Sequence, residues 1–169
     1  MTEVLLGAGR MFASHYQFVV CQDPFAAISD DWHWGDESMK LGFTGARHFR
    51  IIGTEADSNQ HWIELVASDY PPNFAEWQRV TCAHFQTSSG NIHVMPIFGG
   101  EPVISAHVSH GYYALYVAGQ NLGVDQHSLG EISDTDFASR KDLEWYRIFL
   151  VPGAPDKQGR LSDAPMPIK

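Results

Sequence analysis

The sequence predicts an all-β fold: an antiparallel β-sandwich of about eight strands with one short helix. Three observations predict it. Alternation of apolar and polar residues with period two recurs along most of the chain. Gly, Pro, Asn, Asp and Ser punctuate those runs at the short spacing that sandwiches and barrels use. No strand-helix-strand alternation is visible, so a parallel sheet is not expected.

Taken in order, residues 1–13 are small and mixed and are expected to fray. Residues 14–22 read as a half-buried strand, with Tyr16, Phe18 and Val20 alternating with His15, Gln17 and Val19. Asp23-Pro24 ends it. Residues 30–42 break the pattern, holding two of the five tryptophans and four of the twenty acids. Within them, residues 36–41 can form one or two helical turns. Asp36 and Glu37 stand where a helix start favours acceptors and negative charge, and Gly42 supplies the left-handed residue that ends helices. So short a helix is not stable alone, so Trp32, Trp34 and Leu41 are expected to anchor it.

Residues 47–53 and 61–68 read as strands, and their close spacing predicts a hairpin. The segment 69–73 contains Pro71-Pro72 and is a loop. A second hairpin is expected from strands at 76–86 and 91–97 around a turn containing Gly90. Strands follow at 103–108 and 112–118. The segment 120–136 is a long polar loop, 137–142 a helical turn, and 144–151 the last strand. Residues 1–153 are thus expected to be a single domain, and 154–169 a disordered or extended tail rich in Pro, Gly and charge.

Composition narrows the function classes. A chain of 169 residues with 44% hydrophobic and 18% charged residues can bury one adequate core. Its formal charge is −9, with 20 acidic against 11 basic residues, which argues against direct nucleic-acid binding and permits a basic partner. Cys21 and Cys82 lie in apolar runs and read as buried free thiols, not a disulfide framework. The first residues carry an acid and too short an apolar run for a signal peptide, and no stretch is apolar enough to cross a membrane, so the expected compartment is the cytoplasm.

Nine histidines raise the question of a metal site, but only His107 and His110 are close in sequence, and no His-x-His or His-Glu-x-x-His occurs. Scattered histidines on the polar faces of strands are the simpler reading. A His-dependent metal enzyme on a β-barrel stays open as the alternative from another class. No Gly-x-Ser-x-Gly or phosphate loop is present, so no catalytic residue is assigned. The stretch 30–42 stands apart because its acids lie beside aromatics. Such a surface suits a protein partner, with area for affinity and charge for steering. Asp30, Asp31, Trp34, Asp36 and Glu37 are the candidate partner-binding residues, and Trp32 and Gly42 the structural anchors.

Several short motifs also stand in a recognisable order: Ser14-x-x-Gln17-Phe18-x-Val20-x-Gln22; Asp31-Trp32 followed by Asp36-Glu37 and Gly42; Ala46 with Phe49; Val80-Thr81 with Phe85, then Gly90 to Val94; and Gly111-Tyr112-Tyr113-x-Leu115-Tyr116. Together they resemble the competence protein J family of bacterial nuclease inhibitors. The resemblance covers residues 14–119, with the last strand as its outer limit. It departs from the family pattern in two extra residues before Asp36-Glu37, a longer 120–136 loop and the tail. It implies a small soluble inhibitor that binds a nuclease, with no enzymatic activity and no cofactor. An interaction module for some other partner is its near variant.

Overall fold

The computed structural model describes residues 2–25, 34–56, 59–98, 100–123 and 141–164. Among the described residues two sheets pack face to face. The first element, β1, is Glu3–Ala13; β2 is Gln17–Cys21; α1 is Asp36–Leu41; β3 is Phe43–Ala46; β4 is Phe49–Gly53; β5 is Asn59–Ser68. A single 3-10 turn, Phe74–Glu76, precedes β6, which is Arg79–Thr87. Then come β7 at Asn91–Pro96, β8 at Ile104–His107, β9 at Gly111–Gln120, β10 at Trp145–Pro152 and β11 at Gly159–Asp163. The larger sheet runs β1-β5-β10-β9-β6-β11 and the smaller β3-β4-β2-β7-β8.

The core lies between the sheets, where Phe18, Ile52, Ile63, Phe85, Leu115 and Ile148 are almost fully buried. Each such side chain contributes about 1.5–3 kcal/mol relative to exposure. Strand β2 is buried along its whole length rather than on one face. Phe18 and Val20 enter the main core, while Val19 and Cys21 point to the other face, against Phe49, Ile51 and Ile97. The larger sheet also carries apolar residues on its outer face, where Phe74 and Trp77 cover Val66, Val80 and Phe149.

Four expectations are corrected. Residues 3–13 do not fray: they are an eleven-residue strand against β5. Its small residues are there for close approach, since a Cβ at Gly7 would stand 2.6 Å from Ile104 and one at Gly9 2.6 Å from Val103. Neither expected hairpin forms. Strand β4 pairs with β3 and β2 while β5 lies in the other sheet, and β6 and β7 are likewise in different sheets. Alternation identifies the face a residue takes, not the neighbour its backbone pairs with. One pair is parallel: β10 inserts between β9 and β5 and runs with β5, Trp145 beside Trp62. The segment read as a disordered or extended tail contains β11, paired with β6 from Gly159 opposite Cys82 to Asp163 opposite Arg79.

The two open sides of the sandwich are closed differently. On one side β1 crosses against β8. On the other, α1 bridges the gap between β3 and β11, with Leu41 packed on the core and against Gly159. The long polar loop 120–136 and the turn 137–142 expected from sequence fall largely outside the described residues, which omit 124–140.

Candidate protein-binding surface

Helix α1 spans the expected residues, and its local chemistry explains both ends. Gly35 is the N-cap, in an extended conformation at φ −128°. Its N–H donates to Ser38 Oγ at 2.7 Å, and that hydroxyl lies 3.1 Å from Gly35 O. Asp36 and Glu37 are therefore not caps. They occupy the first helical turn, both exposed, where the helix dipole favours negative charge. At the other end Gly42 takes φ +86° and its N–H donates to Ser38 O at 2.8 Å. Its own carbonyl accepts from Gly53 N at 3.0 Å, which pins the helix end to β4.

Trp34 holds the helix start. It is half-buried against the Val19, Phe49 and Ile51 cluster, and its indole N–H donates to Gln17 Oε1 at 2.7 Å. The candidate contact residue is thus first an anchor, with part of its ring left over for the surface. Asp30, Asp31 and Trp32 lie outside the described residues.

Two clefts flank α1. One, of about 380 Å³, is lined by Asp36, Glu37, Ser38 and Leu41 on the helix side and by Phe43, Thr44, Gly45 and Arg50 opposite. Arg50 is buried: its Nε donates to His84 O at 2.8 Å and Nη1 to Gly45 O at 2.9 Å, with the guanidinium 5.0 Å over the Phe43 ring. Burial, helped by the nearby Arg47 charge, pulls its pKa down to about 10. From β4, Arg50 cross-links β3 to β6, and this reads as scaffold.

The other cleft, of about 350 Å³, lies between α1, the β1–β2 turn, the segment after β4, and β11. Trp34, Tyr16 and Met39 form apolar walls, and His15, Thr54, Glu55 and Arg160 supply polar groups. The turn is unusual: His15 and Tyr16 both take positive φ, 56° and 62°, between bridge partners Ser14 and Gln17. Tyr16 O accepts from Thr54 N at 2.7 Å, and His15 packs edge-on to Phe98 at 5.4 Å.

A chain of ion pairs joins the two charged lining residues, Glu55 and Arg160. Arg79 reaches Glu55 at 2.9 Å and Asp163 at 3.0 Å, and Arg160 approaches the same Asp163 at 3.7 Å. Burial opposes the Arg79 charge, but hydrogen bonds to Asp163 and Glu55 outweigh it and raise its pKa. Glu55 is itself placed from behind, its N–H donating to the buried Glu144 carboxylate at 2.8 Å.

Sequence reading did not single out His15, Tyr16, Met39, Glu55 or Arg160. A His-Tyr pair carries no turn signal, and Arg160 sits in what read as tail. The histidines do not gather: among the described residues, no group of three or more His, Cys, Asp or Glu is placed to hold a metal ion. His61 is a core residue, its Nδ1 3.1 Å from Glu144 O.

The family model for competence protein J matches residues 10–149. No curated protein matches the sequence. The fold resembles the crystal structure of ComJ, inhibitor of the DNA degrading activity of NucA, from Bacillus subtilis. The TM-score is 0.63 at 18% identity, covering 89% of this chain and 98% of that one. It also resembles a structure described as crocagin biosynthetic gene J. Here the TM-score is 0.55 at 11% identity, covering 93% of this chain and 100% of the other.

Proposed function

This chain belongs to the competence protein J family, and from that premise we propose that it is a protein inhibitor that binds a DNA-degrading nuclease and silences it. The similar structure from Bacillus subtilis is that of an inhibitor of the DNA degrading activity of NucA. The observation in this chain that carries the reading is the first turn of α1. Asp36 and Glu37 are exposed there on a helix fixed at both ends, by Trp34 before it and Gly42 after it. A nuclease gathers Lys, Arg and often a cation around its phosphate site, so its groove is positive. Carboxylates on a rigid support can stand where phosphates would, and a net charge of −9 steers the approach. The action is binding, not catalysis, and needs no cofactor.

The test is a titration of the purified protein into the DNA-degrading activity of its own cells' lysate. Activity should fall to an end point at a fixed molar ratio. If every DNA-degrading fraction stays fully active with the protein in excess, the reading is wrong. Asp36→Asn with Glu37→Gln preserves shape and removes two charges. Association with the inhibited nuclease should slow by about three- to tenfold at low salt, and its salt dependence should flatten. An association rate equal to wild type at both low and high salt would remove these two carboxylates from the contact.

A further inference from the structure

We propose that the His15–Tyr16 turn is held in a strained conformation to present an anchor site, and that the cleft it forms with α1 takes an apolar side chain projecting from the positively charged surface of the partner nuclease. This deepens the inhibitor reading and rests on it.

Two consecutive residues at φ 56° and 62° between bridged neighbours make a two-residue hairpin loop of the type that Asn-Gly forms readily. Bulky residues do so only at a cost, because their Cβ crowds the backbone in the left-handed region. The surroundings enforce it through Thr54 N–H on Tyr16 O at 2.7 Å and the contact of Ser14 Oγ with His15 Nδ1 at 2.6 Å. Yet the side chains that make the turn costly return little packing, since His15 is exposed and Tyr16 is 51% exposed. What they do is line the cleft.

The rest of the cleft fits the same purpose. Met39 is 60% exposed on α1, and Phe98, beside the cleft and edge-on to His15, is 63% exposed. Aromatic residues and methionine are enriched in protein interfaces, and methionine adapts its shape to what it meets. The charges choose the occupant. The charged residues that line the cleft, Glu55 and Arg160, are one acid and one base joined through Arg79 and Asp163, so the polar wall carries no net charge for an ionic side chain to answer. Beyond Met39, the first turn of the same helix carries the exposed Asp36 and Glu37. The surface around the inserted side chain must therefore be basic, while that side chain itself is apolar.

The test compares three proteins against the nuclease that the wild type inhibits. His15→Asn with Tyr16→Gly should relieve the strain and raise Tm by roughly 3 °C or more. The same variant should bind that nuclease about thirtyfold more weakly, the loss of an interface anchor. Met39→Ser should bind about tenfold more weakly at unchanged Tm. A double variant that melts lower than wild type, or fails to fold, overturns the inference, because the two side chains then serve the fold. Undiminished affinity in both variants also overturns it while leaving the inhibitor reading intact. A wild-type protein that inhibits no nuclease removes that reading and the inference with it.

Discussion

The buried carboxylate of Glu144 gives the sharpest test of how the cleft is built. Glu144 is fully buried just before β10. One oxygen accepts from Glu55 N at 2.8 Å and from the Tyr146 hydroxyl; the other accepts from Ala56 N at 2.9 Å and, at 3.4 Å, from Gly123 N. A single side chain thus ties the segments after β4 and β9 to the start of β10. Glu144→Ala strands two close donors, the Ala56 amide and the Tyr146 hydroxyl, and leaves the Glu55 amide only the Tyr146 oxygen at 3.2 Å. At about 1–3 kcal/mol for each buried group left without a partner, the loss should be about 4 kcal/mol or more. Glu144→Gln is the cleaner probe, because it keeps the volume. Its amide oxygen can replace one carboxylate oxygen, but its NH2 group then faces a backbone donor, so about 2 kcal/mol should be lost. Urea unfolding at pH 7, with the m-value checked for constancy, measures both. A Gln variant within about 0.5 kcal/mol of wild type would refute the reasoning, since shape alone would then suffice.

Three further predictions follow from the same structure. Truncation after Gln158 removes β11 together with Asp163, the partner of Arg79, and should lower Tm by at least about 5 °C; an unchanged melting curve would mean the strand does not dock. Gly42→Ala should cost about 1–2 kcal/mol by forcing a Cβ into the left-handed helix end, where Arg160 Nε would stand 3.1 Å away, and a variant as stable as wild type would contradict that. Glu64 is pushed up by burial, but hydrogen bonds from Lys141, Arg147 and Trp62 win and lower its pKa below the usual 4.5. Because the folded value is the lower one, its contribution is present above about pH 4.5 and is lost as pH falls through the folded pKa. Glu64→Gln should therefore cost about 1 kcal/mol at pH 7, with a gap that closes in acid; a gap independent of pH would exclude this carboxylate as the cause.

What the sequence made legible was local. Helix α1 appears at the expected residues because its signals act within one turn: acids at the start, Gly42 at the end, Leu41 for the core. Most strands fall near their expected places because alternation reports which face is buried. Pairing was not legible, because β4 chooses β3 and β2 over β5 through contacts distant in sequence. Strand β1 was hidden by glycines whose reason is the approach of Ile104 and Val103. Strand β11 was hidden by its polarity. An edge strand can be held by backbone bonds and the Arg79–Asp163 pair without an apolar face. At the candidate site, Trp34 and the α1 carboxylates were visible as a local concentration of aromatics and acids. Tyr16 and Arg160 were not, because nothing near them in sequence says where they meet.

The places where local rules fail are not scattered. Among the described residues, three non-glycine residues take positive φ: His15, Tyr16 and Asn121. Asn121 needs no special account, because asparagine tolerates that region. The two costly positions are adjacent and line the same cleft as Arg160, the residue hidden in the tail. The turn carries the chain from the larger sheet to the smaller, and the passage from β6 to β7 makes the same change of sheet with its positive φ on Gly90 and not on a bulky residue. The two costly positions stand beside an exposed methionine, a tryptophan only half used by the core, and the exposed acids of α1. Natural sequences keep local preference and global fold in agreement except where another requirement competes. For His15 and Tyr16 that requirement lies outside the fold, because the fold buries neither side chain.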